Sequence, residues 1–540
     1  MPSDDARRFD AATPEGVTRE AFLRAGGAGA VGVAALGLAG CFSSSSGTTS
    51  TSSKASPTPA GPPKRGGTLR AGLAGGSSTE TADPQNNVIA TDDMRAFAMF
   101  NGLVEFDLDA QPKLMLAEEI TPNSTATEWT IRVKDGIEWH DGRTLSADDV
   151  MYSINRMMNP KKPLPGAALI RAFDPKTMKK LDKRTLRVKC TFPFATLVST
   201  LTQHQLTMVP VDFDLKKPVG TGPFKFKSFT PGTESRHVRN ENYFEEGLPY
   251  LDELVLIDFS DETSQVNALL GGQVDVVNYL SHTSVQTIQS GGGKAVVNPS
   301  GSYQPFTMRV DKAPFDDVRV RQAMRLAIDR PRMRELVFGG NGFLGNDVFG
   351  ILDELYDKSL PQRQQDIEQA KSLLKAAGQS DLRVTLTTGD IAQGTVKAAQ
   401  VLADQVKAAG IDVKLDKQPS GNFYGPNFLQ WTFAQDFWQF KPYLDQVASS
   451  FLPESPFNEV HWKDDAYAKL AKEAQAAVDK SRRAELAHEL QKIDYEQGGY
   501  IIPYFAPVID AHSKKVEGLG RCRTGFGLCN GTFKAFWFNG

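Results

Sequence analysis

Charge of one sign, histidine and cysteine are all scarce in this sequence, and each scarcity removes a class of function. Lys and Arg number 61 against 64 Asp and Glu, a net charge of -3, and the signs are interspersed. A nucleic-acid binder would carry a basic stripe, so no nucleic-acid partner is expected. The seven histidines, at 140, 204, 237, 282, 461, 488 and 512, show no metal-ligand spacing, and no metal or cofactor is expected. Four cysteines exclude a disulfide-dense scaffold. Catalytic signatures are also missing. There is no Gly-x-Ser-x-Gly elbow, and His488-Glu489-Leu490-Gln491-Lys492 lacks the second histidine of a zinc protease. Two Gly-x-Gly-x-x-Gly matches, Gly27 to Gly32 and Gly340 to Gly345, do not join a strand to a helix, and Gly293-Lys294 is followed by Ala295. The chain reads as a non-enzyme. Paired carboxylates keep an extracellular hydrolase as the alternative.

What is present begins with an unusual N-terminus. Arg19 and Arg24 precede Ala25 to Gly40, a run of Ala, Gly, Val and Leu. That run is shorter than the roughly 20 residues that cross a bilayer and reads as an export signal over 1–40. Leu38-Ala39-Gly40-Cys41 resembles a lipobox, in which Cys41 is diacylated and becomes the mature N-terminus. Thr18 to Arg24 resembles a twin-arginine signal except at Glu20, so either export route fits. Residues 41–65 follow, rich in Ser, Thr, Pro and Gly, which cannot bury enough apolar surface to offset their ordering entropy. A lipidated, disordered tether is the expectation.

From Gly66 the periodicity alternates between strand and helix. Thr68 to Leu73 and Trp129 to Val133 read as strands, the second ending at the Asp135-Gly136 turn pair. Ser146 with Asp149 at N3 opens a helix with Val150, Ile154, Met157 and Met158 on one face. Asp316-Asp317 opens another, with Val320, Ala323, Met324, Ala327 and Ile328 on its apolar face. Arg383 to Thr387, Thr395 to Ala409 closed by Gly410, and Ile411 to Leu415 form a strand-helix-strand unit with a parallel strand pair. Further helices are expected over about Asp366 to Ala377, Asp465 to Val478 and Ser481 to Ile493, the last capped by Ser481. The class is α/β with mixed sheets.

Four segments carry a family resemblance. They are Gly66 to Gly72 with Asp83 to Asn87; Phe100 to Phe106 leading through Val133 to Gly142 and Leu145 to Val150; Gly220 to Phe226 with Arg239 to Phe244, Pro249 to Glu253 and Asn267 to Val276; and Pro314 to Ala323 running into Ala327 to Arg330. In order and spacing they resemble the extracellular solute-binding proteins, family 5, that serve peptide, nickel and opine ABC importers. The resemblance implies a two-lobed periplasmic-binding-protein-like fold of the class II type, with an extra subdomain and an interlobe ligand cleft. The first lobe would comprise 66–106, 220–307 and 507–540, its subdomain 107–219, and the second lobe 308–506. Crossings are expected near Tyr303 to Val310 and Ile501 to Phe505. The implied partners are a small-molecule or short-peptide ligand, ABC permease subunits, and the membrane through the lipid anchor. The chain would act as a monomer. An importer-independent ligand-sensing or chaperone module is a second alternative.

Most motif residues read as structural. His140 is expected to bridge a turn, Arg319 and Arg321 to form ion pairs on an exposed helix side, and Cys190 to be a buried small hydrophobe. A cleft that tolerates varied ligands needs flat side chains and few charges. Phe423 to Tyr443 is rich in such rings, with core strands as the competing explanation. The ligand-binding candidates are Tyr303, Trp431, Asp436, Phe437, Trp438 and Lys441. Peptide-binding members of the family carry an acid where this sequence has Lys441, and Asp436 or Asp445 could replace it, outside the expected register. A peptide-like ligand leads, and an anionic ligand with Lys441 as counter-charge, or a neutral one, is also admitted. Cys522 and Cys529 are candidates for a disulfide in an oxidising exterior.

Overall fold

The computed structural model describes residues 61–540 apart from 77, 79, 88, 420–422, 424, 426 and 456. The export signal, Cys41 and most of the tether lie outside the described residues. Three sheets organise the rest. The largest runs in the order Lys294–Tyr303, Tyr504–His512, Val276–Val277, Thr68–Ala74, Glu253–Phe259, Glu234–Arg239 and Phe224–Thr230. Its central strand Thr68–Ala74 is parallel to both neighbours, whereas the outer pairs are antiparallel. The second sheet runs Asp412–Gln418, Arg383–Gly389, Phe433–Gln435, Phe306–Met308 and Tyr500–Ile501. A four-stranded antiparallel sheet of Ala117–Pro122, Glu128–Val133, Thr185–Cys190 and Phe173–Lys180 packs its own core, including Trp129, Ile131, Trp139 and Leu186. The sheets are mixed and the fold is two-lobed.

Local sequence explains the element ends. Asp149 Oδ2 accepts from both the backbone N–H and the hydroxyl of Ser146 at 2.9 Å, where the helix Ala147–Met157 begins. Asp317 caps Val318–Leu326 through the N–H of Arg319, and all five residues of the expected apolar face are fully buried. Arg383–Gly389 and Asp412–Gln418 are parallel around the helix Thr395–Val406, and Gly410 ends that segment at φ 83°. Two expectations need correction. Asp479, not Ser481, caps Lys480–Gln497, because its carboxylate accepts from Arg482 N–H at 2.8 Å. Arg321 is buried, not exposed: its guanidinium donates to the carbonyls of Gln497 and Phe315.

Two of the chain's passages between the large sheets lie side by side, and between them in sequence Phe343–Leu344 also pairs with Tyr504 and Phe505 in the first sheet. Tyr303 ends the first sheet and Phe306 begins the second; Ile501 ends the second and Tyr504 re-enters the first. Phe306 pairs with Ile501, and Tyr303 with Phe505. Each passage contains a proline, Pro305 or Pro503, which removes a backbone donor and fixes φ. Asp347 fastens the second passage by accepting the Ile502 N–H at 3.0 Å. Three arginines surround that carboxylate: Arg330 at 2.6 Å, Arg363 at 2.8 Å and Arg325 at 3.9 Å.

Candidate functional site

The aromatic stretch follows the first passage across the seam between the lobes. Phe433–Gln435 is antiparallel to Phe306–Met308, and beyond it Trp438 and Tyr303 exchange both backbone hydrogen bonds at 2.9 Å. Past Trp438 the chain meets Phe106 and Gln203. The Phe440 and Phe106 rings are 5.4 Å apart, and Lys441 Nζ donates to Gln203 Oε1 at 3.3 Å. Thr200 Oγ1 donates to Asp445 Oδ1 at 2.7 Å, and Gln111 Nε2 donates to the Leu352 carbonyl at 2.9 Å. The lobes are in contact along this line.

A cavity of about 90 Å³ lies beside this line of contacts. Two of its lining residues, Phe106 and Gln203, are the ones that touch Phe440 and Lys441. Its apolar wall includes Phe97, Phe100 and Phe526, and its polar wall includes Glu105, His204 and Lys534. Glu105 stands on the strand Val104–Phe106, where Oε1 accepts from Asn101 Nδ2 at 2.8 Å and from Gly102 N–H at 3.2 Å. Burial raises the Glu105 pKa, opposed chiefly by the nearby Lys534 ammonium. Lys534 is itself hydrogen-bonded to Glu245 and lies 3.3 Å from Tyr243 Oη.

His204 is buried 3.4 Å from Asp93, with its ring edge-on to Phe526 at 5.1 Å. Burial, reinforced by Lys441, pushes the imidazole down to about 3. Burial, with Asp92 beside it, pushes Asp93 well above the usual carboxylate range. Both directions favour the uncharged forms. Burial also lifts Asp445 to about 7 against the pull of the Thr200 hydroxyl and Lys441.

The six ligand-binding candidates therefore divide. Tyr303, Asp436, Trp438 and Lys441 follow the first passage and the seam. Tyr303 is buried and stacks on Phe349 at 6.2 Å, and Asp436 is buried with Oδ1 accepting the Phe437 N–H at 2.7 Å. Phe437 and Trp431 pack instead in a small cluster with Ile391, Phe423 and Ala434. Glu105, His204 and Lys534 were not singled out. Glu105 lay within a quoted motif, but a carboxylate in a short strand carries no mark of the cavity beside it. Cys522 and Cys529, expected as a disulfide, are two buried thiols. The Cys522 thiol is lowered to about 7, first by its hydrogen bond with Cys529, against burial. Cys529 lies in a turn in which Leu528, Cys529 and Asn530 are left-handed, held where Leu528 N–H donates to Asp510 at 2.7 Å. Among the described residues, no group of three His, Cys, Asp or Glu side chains could hold a metal ion.

Two mixed sheets joined by paired passages, with a cavity of mixed apolar and polar lining against the seam, define a two-lobed binding protein. The chain belongs to the bacterial extracellular solute-binding proteins, family 5, whose middle-region model matches residues 111–465. It is 27% identical over 473 residues to the oligopeptide-binding protein AppA of Bacillus subtilis, covering 80% of this chain and 86% of that one. It is 24% identical over 469 residues to di/tripeptide-binding protein 2 of Pseudomonas aeruginosa, covering 79% and 88%. Its fold matches that of the ABC transporter substrate-binding protein CtaP of Listeria monocytogenes with a TM-score of 0.78 at 19% identity, covering 88% of this chain and all of that one. The chain is a substrate-binding protein.

Proposed function

We propose that this protein is the ligand-capturing subunit of an ABC importer, exported and held at the outer face of the cytoplasmic membrane by a diacylated Cys41. It works as a monomer whose lobes, 66–106 with 220–307 and 507–540 on one side and 308–506 on the other, close over a small polar, peptide-like ligand and present it to the permease. The subdomain 107–219 contributes Gln203 and Thr200 to that closure. The observation that carries this reading is the adjacent pair of passages, because two side-by-side connections let the lobes rock about one line. The relatives named for oligopeptide and di/tripeptide binding support a peptide-like ligand.

The ligand enters between the cavity wall and the Tyr303, Asp436, Trp438 and Lys441 face. Phe437 and Trp431 support that face from behind. In the oxidising exterior Cys522 and Cys529 pair, stiffening the turn that forms part of the cavity wall.

The test is mass spectrometry of whatever copurifies with the full-length protein, followed by thermal-shift screening of peptides, opines, sugars and polyamines. A receptor raises its melting temperature with ligand and turns nothing over. Deletion of the gene should abolish uptake of the same compound. Turnover of a bound compound, or uptake unchanged on deletion, would overturn the importer reading.

A further inference from the structure

The charge inventory around Glu105 is incomplete on one side. Both hydrogen bonds to its carboxylate, from Asn101 Nδ2 and Gly102 N–H, end on Oε1. Oε2 receives no donor among the described residues, although the side chain lines the cavity. The charged groups nearby are already matched to one another. Lys534 is bonded to Glu245, and Lys113 lies 3.6 Å from the same Glu245. Two cations thus serve one carboxylate, and neither makes a contact with Glu105. This half-buried carboxylate therefore keeps one oxygen open, with no protein donor, beside a small cavity.

We propose that Glu105 Oε2 is the anchor for a protonated primary amine of the ligand, with Phe97, Phe100 and Phe526 packing against the short apolar body that carries it. This rests on the reading of the cavity as the ligand site and adds the chemical class of the group it takes. An ammonium suits the position because it brings three donors and a full charge, whereas a hydroxyl brings one donor and none. The cavity is small, so only the amine and a few carbons fit on this side of the seam. The assignment also moves the charge selection to the first lobe, away from Lys441, which repels an ammonium.

The experiment uses the intact protein and three probes of matched shape, n-butylammonium, n-butanol and butyrate, followed by saturation-transfer NMR. Probes with so few atoms bind no tighter than on the order of micromolar. n-Butylammonium should bind saturably, and Glu105→Gln should weaken it by about tenfold or more while leaving n-butanol unaffected. Circular dichroism establishes that the variant is folded, and the comparison of probes on the unsubstituted protein needs no variant. Saturable binding of butyrate or n-butanol that is equal to or stronger than that of n-butylammonium overturns the ammonium assignment but leaves the cavity as a binding site. Binding of n-butylammonium that survives Glu105→Gln overturns Glu105 as the anchor. If none of the three probes binds, the cavity reading falls with it.

Discussion

Thr200 donates its hydroxyl to Asp445 at 2.7 Å, and both side chains are buried. This contact joins parts of the chain separated by 245 positions and lies on the seam. Thr200→Val keeps the shape and removes the donor, leaving Asp445 with Ser199 at 3.5 Å. A buried acceptor deprived of its donor costs about 1–3 kcal/mol, charged against the closed arrangement. Small-angle scattering of the ligand-free variant should show a larger radius of gyration, and its melting temperature should fall. Identical scattering and melting would show that the contact contributes nothing to closure.

Stability should fall between about pH 6.5 and pH 8. Burial is the first cause lifting Asp92, Asp258, Asp445 and Asp494 to about 7 and Asp510 to about 8. Each folded-state value exceeds the ordinary 3.8, so the folded protein binds more protons, and that contribution is lost as pH rises through 7 to 8. Burial lowers His204 and His237 to about 3 and His140 to about 4, which works the opposite way. Their contribution grows with pH only up to the ordinary histidine value of about 6.5. Below that the three histidines offset only part of the effect of the five carboxyls; above it only the carboxyls act. Asp494→Asn should flatten the decline of melting temperature, each proton accounting for about 1.4 kcal/mol per pH unit. A melting temperature that rises from pH 6.5 to 8 would contradict these environments.

Asp347 should be among the least replaceable side chains. Burial pushes its carboxyl up, but Arg330, Arg363 and Arg325 together outweigh that and hold it below the usual range. Its backbone is left-handed at φ 64°, which asparagine also tolerates, so Asp347→Asn isolates the charge. Removing it leaves buried guanidinium groups uncompensated and weakens the hold on Ile502, at a cost of about 3–5 kcal/mol. The variant should melt markedly lower, with added hydrogen exchange at 500–505. A change of under about 1 kcal/mol would show that water or a carbonyl takes over the role.

Element types and several ends were legible because they are local. Asp149 behind Ser146, Asp317 before Val320 and Gly410 after the helix act through neighbours within a few residues. Ser481 was misread because Asp479, two positions earlier, competes for the same helix start and its carboxylate is the stronger acceptor. Arg321 shows the larger limit. Its partners Phe315 and Gln497 are carbonyls, one of them 176 positions away, and no side-chain pattern announces a backbone acceptor. The candidate site divided for the same reason. A run of rings between 423 and 443 marks apolar surface, but which rings reach the seam depends on the register against Phe306–Met308. Glu105 became visible only when Lys534, far along the chain, proved to be committed to Glu245.

Gly345 offers a sharp test of the second passage. A Cβ built there would lie 2.0 Å from the Ile502 carbonyl oxygen and 2.8 Å from the Pro503 carbonyl carbon, both backbone atoms that no rotamer change can move. Gly345 N–H also donates to the Pro503 carbonyl at 3.0 Å, so the two segments are already drawn together. Gly345→Ala must push the passage away, against Asp347 on the Ile502 N–H. The overpacking cost is about 1–3 kcal/mol, and it falls where the chain changes lobes. Gly520→Ala is the matched control, because nothing lies within 4 Å of its added carbon. The control should stay within about 0.5 kcal/mol of the parent. Gly345→Ala should melt lower and alter the scattering curve that reports lobe closure. Equal melting of the two variants would mean that Gly345 and Ile502 are further apart in solution than described.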